Sequence, residues 1–265
     1  MQKLISIDLK GDFGFFRKPD TNNSTNTIIL SYNMLHKPAL LGIFGAIVGL
    51  EGYKEKGMMP AYFYALKDLK IGIEPLFHEK GNFSKNLNIY TDATGFNNKD
   101  KNGLPSTRIM KESILIKPAY RVYILLDDEE SNQSHLYKNL KDGNAEFLPY
   151  FGKNEFSVWW DKESFKQYDN YEVVDKPLDD IKIKTLFLKQ DIIKENKAAP
   201  VFDLESLIND ETPYMYFERL PIGFDTSLFQ YEMGDFVLSS FRLKKSIGIS
   251  NLYYLNQEQY YVQLL

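Results

Sequence analysis

Residues 38–50 read Pro-Ala-Leu-Leu-Gly-Ile-Phe-Gly-Ala-Ile-Val-Gly-Leu, and no other stretch restricts the fold as strongly. Pro38 suits the first turn of a helix, where its missing N–H costs nothing. The residues that follow are apolar all round, so this helix must be buried on every side. It is shorter than the roughly 20 apolar residues that cross a bilayer. Gly42, Gly45 and Gly49 fall three and four residues apart and line one face. Three interior glycines cost roughly 2–3 kcal/mol of helix propensity against alanine. Close approach of this helix to a strand backbone is the expected compensation.

Around the helix the pattern is mostly that of strands. Ile5, Ile7 and Leu9 alternate with Ser6, Asp8 and Lys10, which predicts a first strand over Lys3–Lys10. Tyr62, Tyr64 and Leu66 predict a second over Ala61–Ile73, and Val122, Ile124 and Leu126 a third over Glu112–Leu126. Ser134–Lys141 reads as a short helix ending at Gly143, and Phe156–Trp160 as a fourth strand. The order βαββαβ is that of a split βαβ, or ferredoxin-like, unit. A long Gly-, Asn- and Lys-rich insertion at about 75–111 separates the second and third strands. Such a segment inside a compact domain is expected to be functional or to project as a hairpin. Segments 182–188, 214–217, 236–243 and 252–255 predict a β-rich C-terminal part. The expected division is a palm over 1–165 and a β-rich subdomain over 166–265.

Composition narrows the chemistry. An apolar fraction of 43% and an aromatic fraction of 15%, with 18 Tyr and 19 Phe, exclude a mainly disordered chain and suit sheets. With no cysteine there is no disulfide, no thiolate metal site and no thiol nucleophile, and a reducing cytoplasm is the simplest location. The N-terminus carries no basic-then-apolar secretion pattern, so the chain is expected to be soluble and free of membranes. The three histidines, His36, His78 and His135, are scattered and form no metal-ligand spacing. There is no GxSxG elbow and no GxxxxGK[ST] loop, so neither a metal nor another cofactor is expected.

The net charge of −4 argues against indiscriminate nucleic-acid binding. Between Lys99 and Arg121, however, six basic residues face two acidic ones, a local +4. Single-stranded RNA is held by flat rings that stack on bases and by cations on phosphates. Residues of those types cluster at Phe15, Phe16, Arg17 and Lys18, then at Tyr32 and Lys37. In the insertion they are Phe83 and Lys85, with Thr107, Arg108 and Lys111 adding donors.

The run Gly14-Phe15-Phe16-Arg17-Lys18-Pro19, the Ser31-Tyr32 pair and the Gly-striped helix resemble the opening motif of the CRISPR-associated "Cas five" subunits. These belong to the repeat-associated mysterious protein superfamily. Thr107-Arg108 with 117–124, and Pro149-Tyr150-Phe151-Gly152-Lys153-Asn154-Glu155-Phe156, look like later segments of the same family. The similarity covers residues 1 to about 160, and beyond it only Arg219-Leu220-Pro221 is familiar. It implies an α+β fold: a modified ferredoxin-like (RRM-like) βαββαβ palm with a β-hairpin thumb at 75–111. It also implies a type I-B-like Cascade subunit that grips the 5′ handle of the guide RNA (crRNA) and caps the backbone filament. The implied partners are a backbone subunit and the large subunit, with target DNA met only indirectly. The residues expected to contact RNA, chosen by residue type as above, are Phe15, Arg17, Lys18, Tyr32, Lys37, Phe83, Lys85, Thr107, Arg108 and Lys111. One branch of the family, type I-C, cuts precursor RNA with a Tyr, a Lys and a His. Its Lys-His dipeptide does not occur here: His36-Lys37 is reversed, and His78 lies near Lys80 in a polar loop. A non-catalytic subunit is therefore the expectation, with a metal-independent endoribonuclease and a purely structural bridge as alternatives.

Overall fold

The computed structural model describes residues 2–19, 28–78, 81–93, 99–104, 107–194, 198, 200–203, 213–245 and 247–265. Of residues 92, 93 and 108 only the backbone is described. The fold is α+β. Its central sheet has the spatial order Lys70–Pro75, Ala119–Asp127, Gln2–Lys10, Lys166–Tyr168, with every neighbour antiparallel. Among the described residues three α-helices, α1 (Lys37–Ile47), α2 (Ala61–Leu66) and α3 (Ser131–Asp142), accompany it.

The alternation of the first strand feeds two cores. Ile5, Ile7 and Leu9 join Leu40, Leu41, Phe44, Ile47, Leu136 and Leu140 from α1 and α3. Leu4, on the reverse face, joins Tyr123, Leu125 and Tyr168 and the C-terminal hairpin residues Tyr253, Leu255, Val262 and Leu264. Both faces are thus dry, and the polar residues between them are paired. Ser6 Oγ lies 2.9 Å from Tyr168 Oη, and Asp8 accepts two hydrogen bonds from Arg121, at 2.7 and 2.9 Å. That fork gives Arg121 an internal carboxylate partner.

Several elements differ from expectation. Residues 61–66 are helix, not strand: the alternation of Tyr62, Tyr64 and Leu66 suits a strand, but Phe63 and Leu66 share a buried helical face. The second strand is Lys70–Pro75. The single strand expected over 112–126 is two, Arg108–Ile116 and Ala119–Asp127. Between them Lys117 takes a left-handed backbone (φ 47°) before Pro118, which has no N–H for a ladder. The chain leaves one sheet there and enters another. Residues 156–160 make only isolated bridges, and the fourth strand of the central sheet is Lys166–Tyr168. Helix α3 begins at Ser131, three residues before the expected start, and ends as expected at Gly143, its left-handed C-cap (φ 70°).

The insertion forms a finger hairpin, Lys85–Ala93 against Arg108–Ile116, so its second strand runs past the expected boundary at 111. Phe13–Gly14 adds a third strand at its foot. In the C-terminal part, Met215–Asp225 and Gln230–Ser239 form a long ribbon with a bulge at Pro221/Gly223. Leu220, Phe236 and Leu238 of this ribbon enter the same core as α1, so residues on both sides of position 165 share one interior.

Candidate nucleic-acid interface

The segment before α1 is a structural hub. Ser31 Oγ accepts from Phe16 N at 2.9 Å and donates to Tyr32 O at 2.6 Å. Asn33 donates from its amide to Gly81 O, accepts from Phe83 N at 3.1 Å, and receives the Tyr120 hydroxyl on its carbonyl at 2.8 Å. The Glu218 carboxylate, carried in by the ribbon, accepts from Asn33 N and Met34 N (both 3.1 Å), the Tyr216 hydroxyl (2.8 Å) and Lys18 Nζ (3.0 Å). A carboxylate with its lone pairs so occupied is stable away from water. This network pins the ribbon, the finger's root and the start of α1 together.

His36 caps α1, accepting from Ala39 N on Nδ1 at 3.3 Å. Its ring lies edge-on to Phe16, Tyr32 and Tyr231. Burial pushes its pKa down to about 3, so the imidazole is neutral at physiological pH. The glycine stripe of α1 meets α2 rather than the expected strand: a Cβ on Gly45 would stand 2.4 Å from Tyr62 Cβ, and one on Gly42 3.7 Å from the Tyr62 ring. Gly49, with φ 74°, ends the helix.

Beside this helix lies a cleft of about 730 Å³. Ala39, Gly42 and Ala46 of α1 line it together with Tyr62 and Phe63 of α2. The other walls carry Tyr53, then Phe147, Leu148 and Tyr150, then Phe224 and Tyr231 of the ribbon. At the foot of the finger it is lined by Phe15, Arg17, Tyr90, Met110, Glu112 and Lys153. Its rings remain accessible: Tyr53, Phe147, Tyr150 and Tyr231 are 65%, 55%, 41% and 39% exposed. Burial first, and then the nearby Tyr53, raises the Tyr62 pKa.

At the finger's foot Glu112, only 4% exposed, accepts from Lys153 Nζ at 2.8 Å and from the Tyr90 hydroxyl at 2.9 Å. Lys153 also pairs with Glu155 at 3.2 Å and lies over the rings of Tyr90, Phe15 and Phe156. Desolvation lowers its pKa, but the hydrogen bonds it donates to Glu112, Tyr90 and Glu155 outweigh that and raise it. Gly152 has φ 81°, and a Cβ there would stand 1.9 Å from Phe15 O, so only glycine lets this segment reach the strand.

The sequence-derived residues separate on this geometry. Phe15 is buried in the cleft wall beneath Lys153, and Arg17 is exposed on that wall. Lys18 is bound to Glu218 and lies 5.0 Å over the buried Tyr32 ring, which closes Tyr32 to a base. Lys37 is outside the cleft: it donates to Leu265 O at 3.1 Å, and desolvation lowers its pKa. Phe83 is buried against Tyr120 and His78, so its ring offers no stacking surface. Lys85 is exposed at the start of the finger, near Glu218 and Lys18. Thr107 is exposed and Lys111 half-buried, while the Arg108 side chain lies outside the described residues.

Sequence reasoning did not bring forward Tyr53, Tyr62, Tyr150, Tyr231, Lys153 or Glu112 as a site. Tyr150 and Lys153 stand within the 149–156 motif that carried the resemblance, and that was the available signal. The histidines occupy separate places. His36 caps α1, His78 accepts from Gly81 N, and His135 lies on α3 at 3.6 Å from Glu146. Among the described residues no group of three His, Asp or Glu side chains is placed to hold a metal. No described helix is long and apolar enough to cross a membrane.

No protein-family model matches the chain, and no curated protein matches it. Among solved structures, a chain of a CRISPR RNA-guided surveillance complex is similar at 13% identity and TM-score 0.47, over 92% of this chain and 91% of that one. A chain of the type III-B Cmr-beta complex bound to cognate target RNA and AMPPnP is similar over 99% of each chain, at 13% identity and TM-score 0.43. A second Cmr-beta structure, bound to cognate target RNA, is similar over 92% of this chain and 86% of that one, at 14% identity and TM-score 0.41. With TM-scores below 0.5 these are partial likenesses of chain trace.

Proposed function

We propose that this chain is a non-catalytic subunit of a type I CRISPR interference complex that binds the 5′ handle of the guide RNA. In this reading it caps the backbone filament and contacts the large subunit. The observation that carries it is the open, ring-lined cleft at the foot of the finger hairpin, with exposed Arg17 on its wall. Lys99 and Lys101 on the finger itself are exposed as well. Rings for bases beside cations for phosphates are what a single strand requires, whatever the net charge of the whole chain. The sheet order supports a ferredoxin-like palm. Numbered along the chain, its strands lie in the order two, three, one, four, all antiparallel, as a split βαβ demands. The motifs of residues 14–19, 31–32 and 149–156 supply the family assignment, and type I-B is the branch they resemble.

The non-catalytic part of the proposal rests on His36. It is the histidine in the cleft, it is committed to capping α1, and its depressed pKa leaves it far from a general base poised near neutrality. The test is binding of handle RNA by the purified chain and photocrosslinking from the finger. Substituting Lys99→Glu with Lys101→Glu should weaken binding and lower the salt slope by about one for each phosphate no longer neutralised. Unchanged affinity and slope, or no handle crosslink from the finger, would overturn the proposal in favour of a structural bridge.

A further inference from the structure

Tyrosines make up much of the lining of the cleft. Tyr53, Tyr62, Tyr150 and Tyr231 come from four separate segments and converge on one space. Tyr53, Tyr231 and Tyr150 all lie near enough to Tyr62 to help raise its pKa, after burial. Tyr231 is held edge-on by Phe224, with centroids 5.5 Å apart at 90°, and by His36. Three of the four rings are nonetheless more than one-third exposed. Tyr231, exposed but held by its neighbours, has already met the ordering cost that a ligand would otherwise impose.

We propose that this tyrosine compartment receives one unstacked nucleotide, its base on the rings of Tyr53 and Tyr231 and its phosphate towards Arg17. The volume lies in the range of pockets that enclose small organic ligands. Rings with hydroxyl rims match a base, which has an apolar face and a polar edge. The exposed Arg17 on the same cleft matches the phosphate. A purely apolar peptide would cover those hydroxyls and the Arg17 charge without bonding to them. The inference deepens the RNA reading above and rests on it only for the source of the nucleotide.

The experiment has two arms. Single-stranded RNA of the repeat-derived handle carries 2-aminopurine at one position at a time, and its fluorescence is followed on titration with wild type, Tyr53→Ala and Tyr231→Phe. One position should change its emission sharply on binding. Tyr53→Ala, which removes an exposed side chain and leaves the core intact, should weaken binding about tenfold, while Tyr231→Phe retains it. In the second arm AMP, GMP, CMP and UMP are titrated by calorimetry. Saturable nucleotide binding that Tyr53→Ala removes supports the compartment even if the handle does not bind, and then assigns a free nucleotide and overturns the RNA source. Equal binding by wild type and Tyr53→Ala in both arms, with no position-specific signal, overturns the compartment even if finger lysines still hold RNA.

Discussion

The sharpest quantitative consequence of the fold concerns His36. The imidazole is 6% exposed, and desolvation lowers its pKa from 6.5 to about 3. A histidine with a lowered folded pKa favours the fold only while it is neutral. Its contribution is complete above pH 6.5 and is lost progressively as the pH falls from 6.5 towards 3. At 1.36 kcal/mol per unit, the loss is about 2 kcal/mol between pH 7.5 and pH 5, and about 3 kcal/mol by pH 4. Protonation also fills Nδ1, which then cannot accept from Ala39 N. Asparagine is a good N-cap that does not titrate. His36→Asn loses ring contacts at every pH but removes the pH-dependent part. Urea denaturation followed by tryptophan fluorescence, on both proteins at pH 7.5 and 5.0, isolates that part as a difference of differences. Wild type should lose about 2 kcal/mol more than His36→Asn on acidification. Parallel losses, or an imidazole that titrates near pH 6 in the folded protein by NMR, would refute the reasoning.

Gly45→Ala forces a Cβ to 2.4 Å from Tyr62 Cβ, which α2 holds in place. It should destabilise by about 1–3 kcal/mol despite the gain in helix propensity, whereas Gly42→Ala, with ordinary contact at 3.7 Å, should be neutral or stabilising in thermal unfolding. Lys153→Met leaves the Glu112 carboxylate buried with Tyr90 as its remaining partner and should cost about 3 kcal/mol. Pairing it with Glu112→Gln should recover part of that, a coupling that a double-mutant cycle in urea measures. Purified alone, the chain should leave precursor RNA intact on a denaturing gel. Specific cleavage at the repeat that disappears in His36→Ala or His78→Ala would make it an enzyme.

The parts legible in the sequence were those with strong local signals. The apolar period of α1, the stop of α3 at Gly143 and the alternation of the first strand each contain their own answer within a few residues. The second strand was misplaced because Tyr62, Tyr64 and Leu66 satisfy a period of two, while the burial of Phe63 and Leu66 on one helical face appears only once α1 lies alongside. The break at Lys117-Pro118 carried its signal, the proline, inside a run apolar enough to read as continuous. The site was half legible. Arg17 and Phe15 reached the cleft from the motif that named them, whereas Tyr32, Phe83 and Lys37 have the right chemistry and were drawn into the interior or to Leu265.

Composition and period alone determined that this chain has a sizeable core, one glycine-striped helix buried on most of its surface, mostly strands, and no thiol chemistry; that Ala39, Gly42 and Ala46 would open onto a cleft was not legible. The legible features follow from each residue's own transfer free energy and backbone preference, which do not depend on distant neighbours. Only the tertiary structure decided that the glycines would receive Tyr62, that Glu218 would anchor the segment before α1, and that tyrosines from four segments would share one cleft. Such contacts join residues far apart in the chain, as Glu218 and Asn33 are, and their energies exist only when the whole core has closed around them.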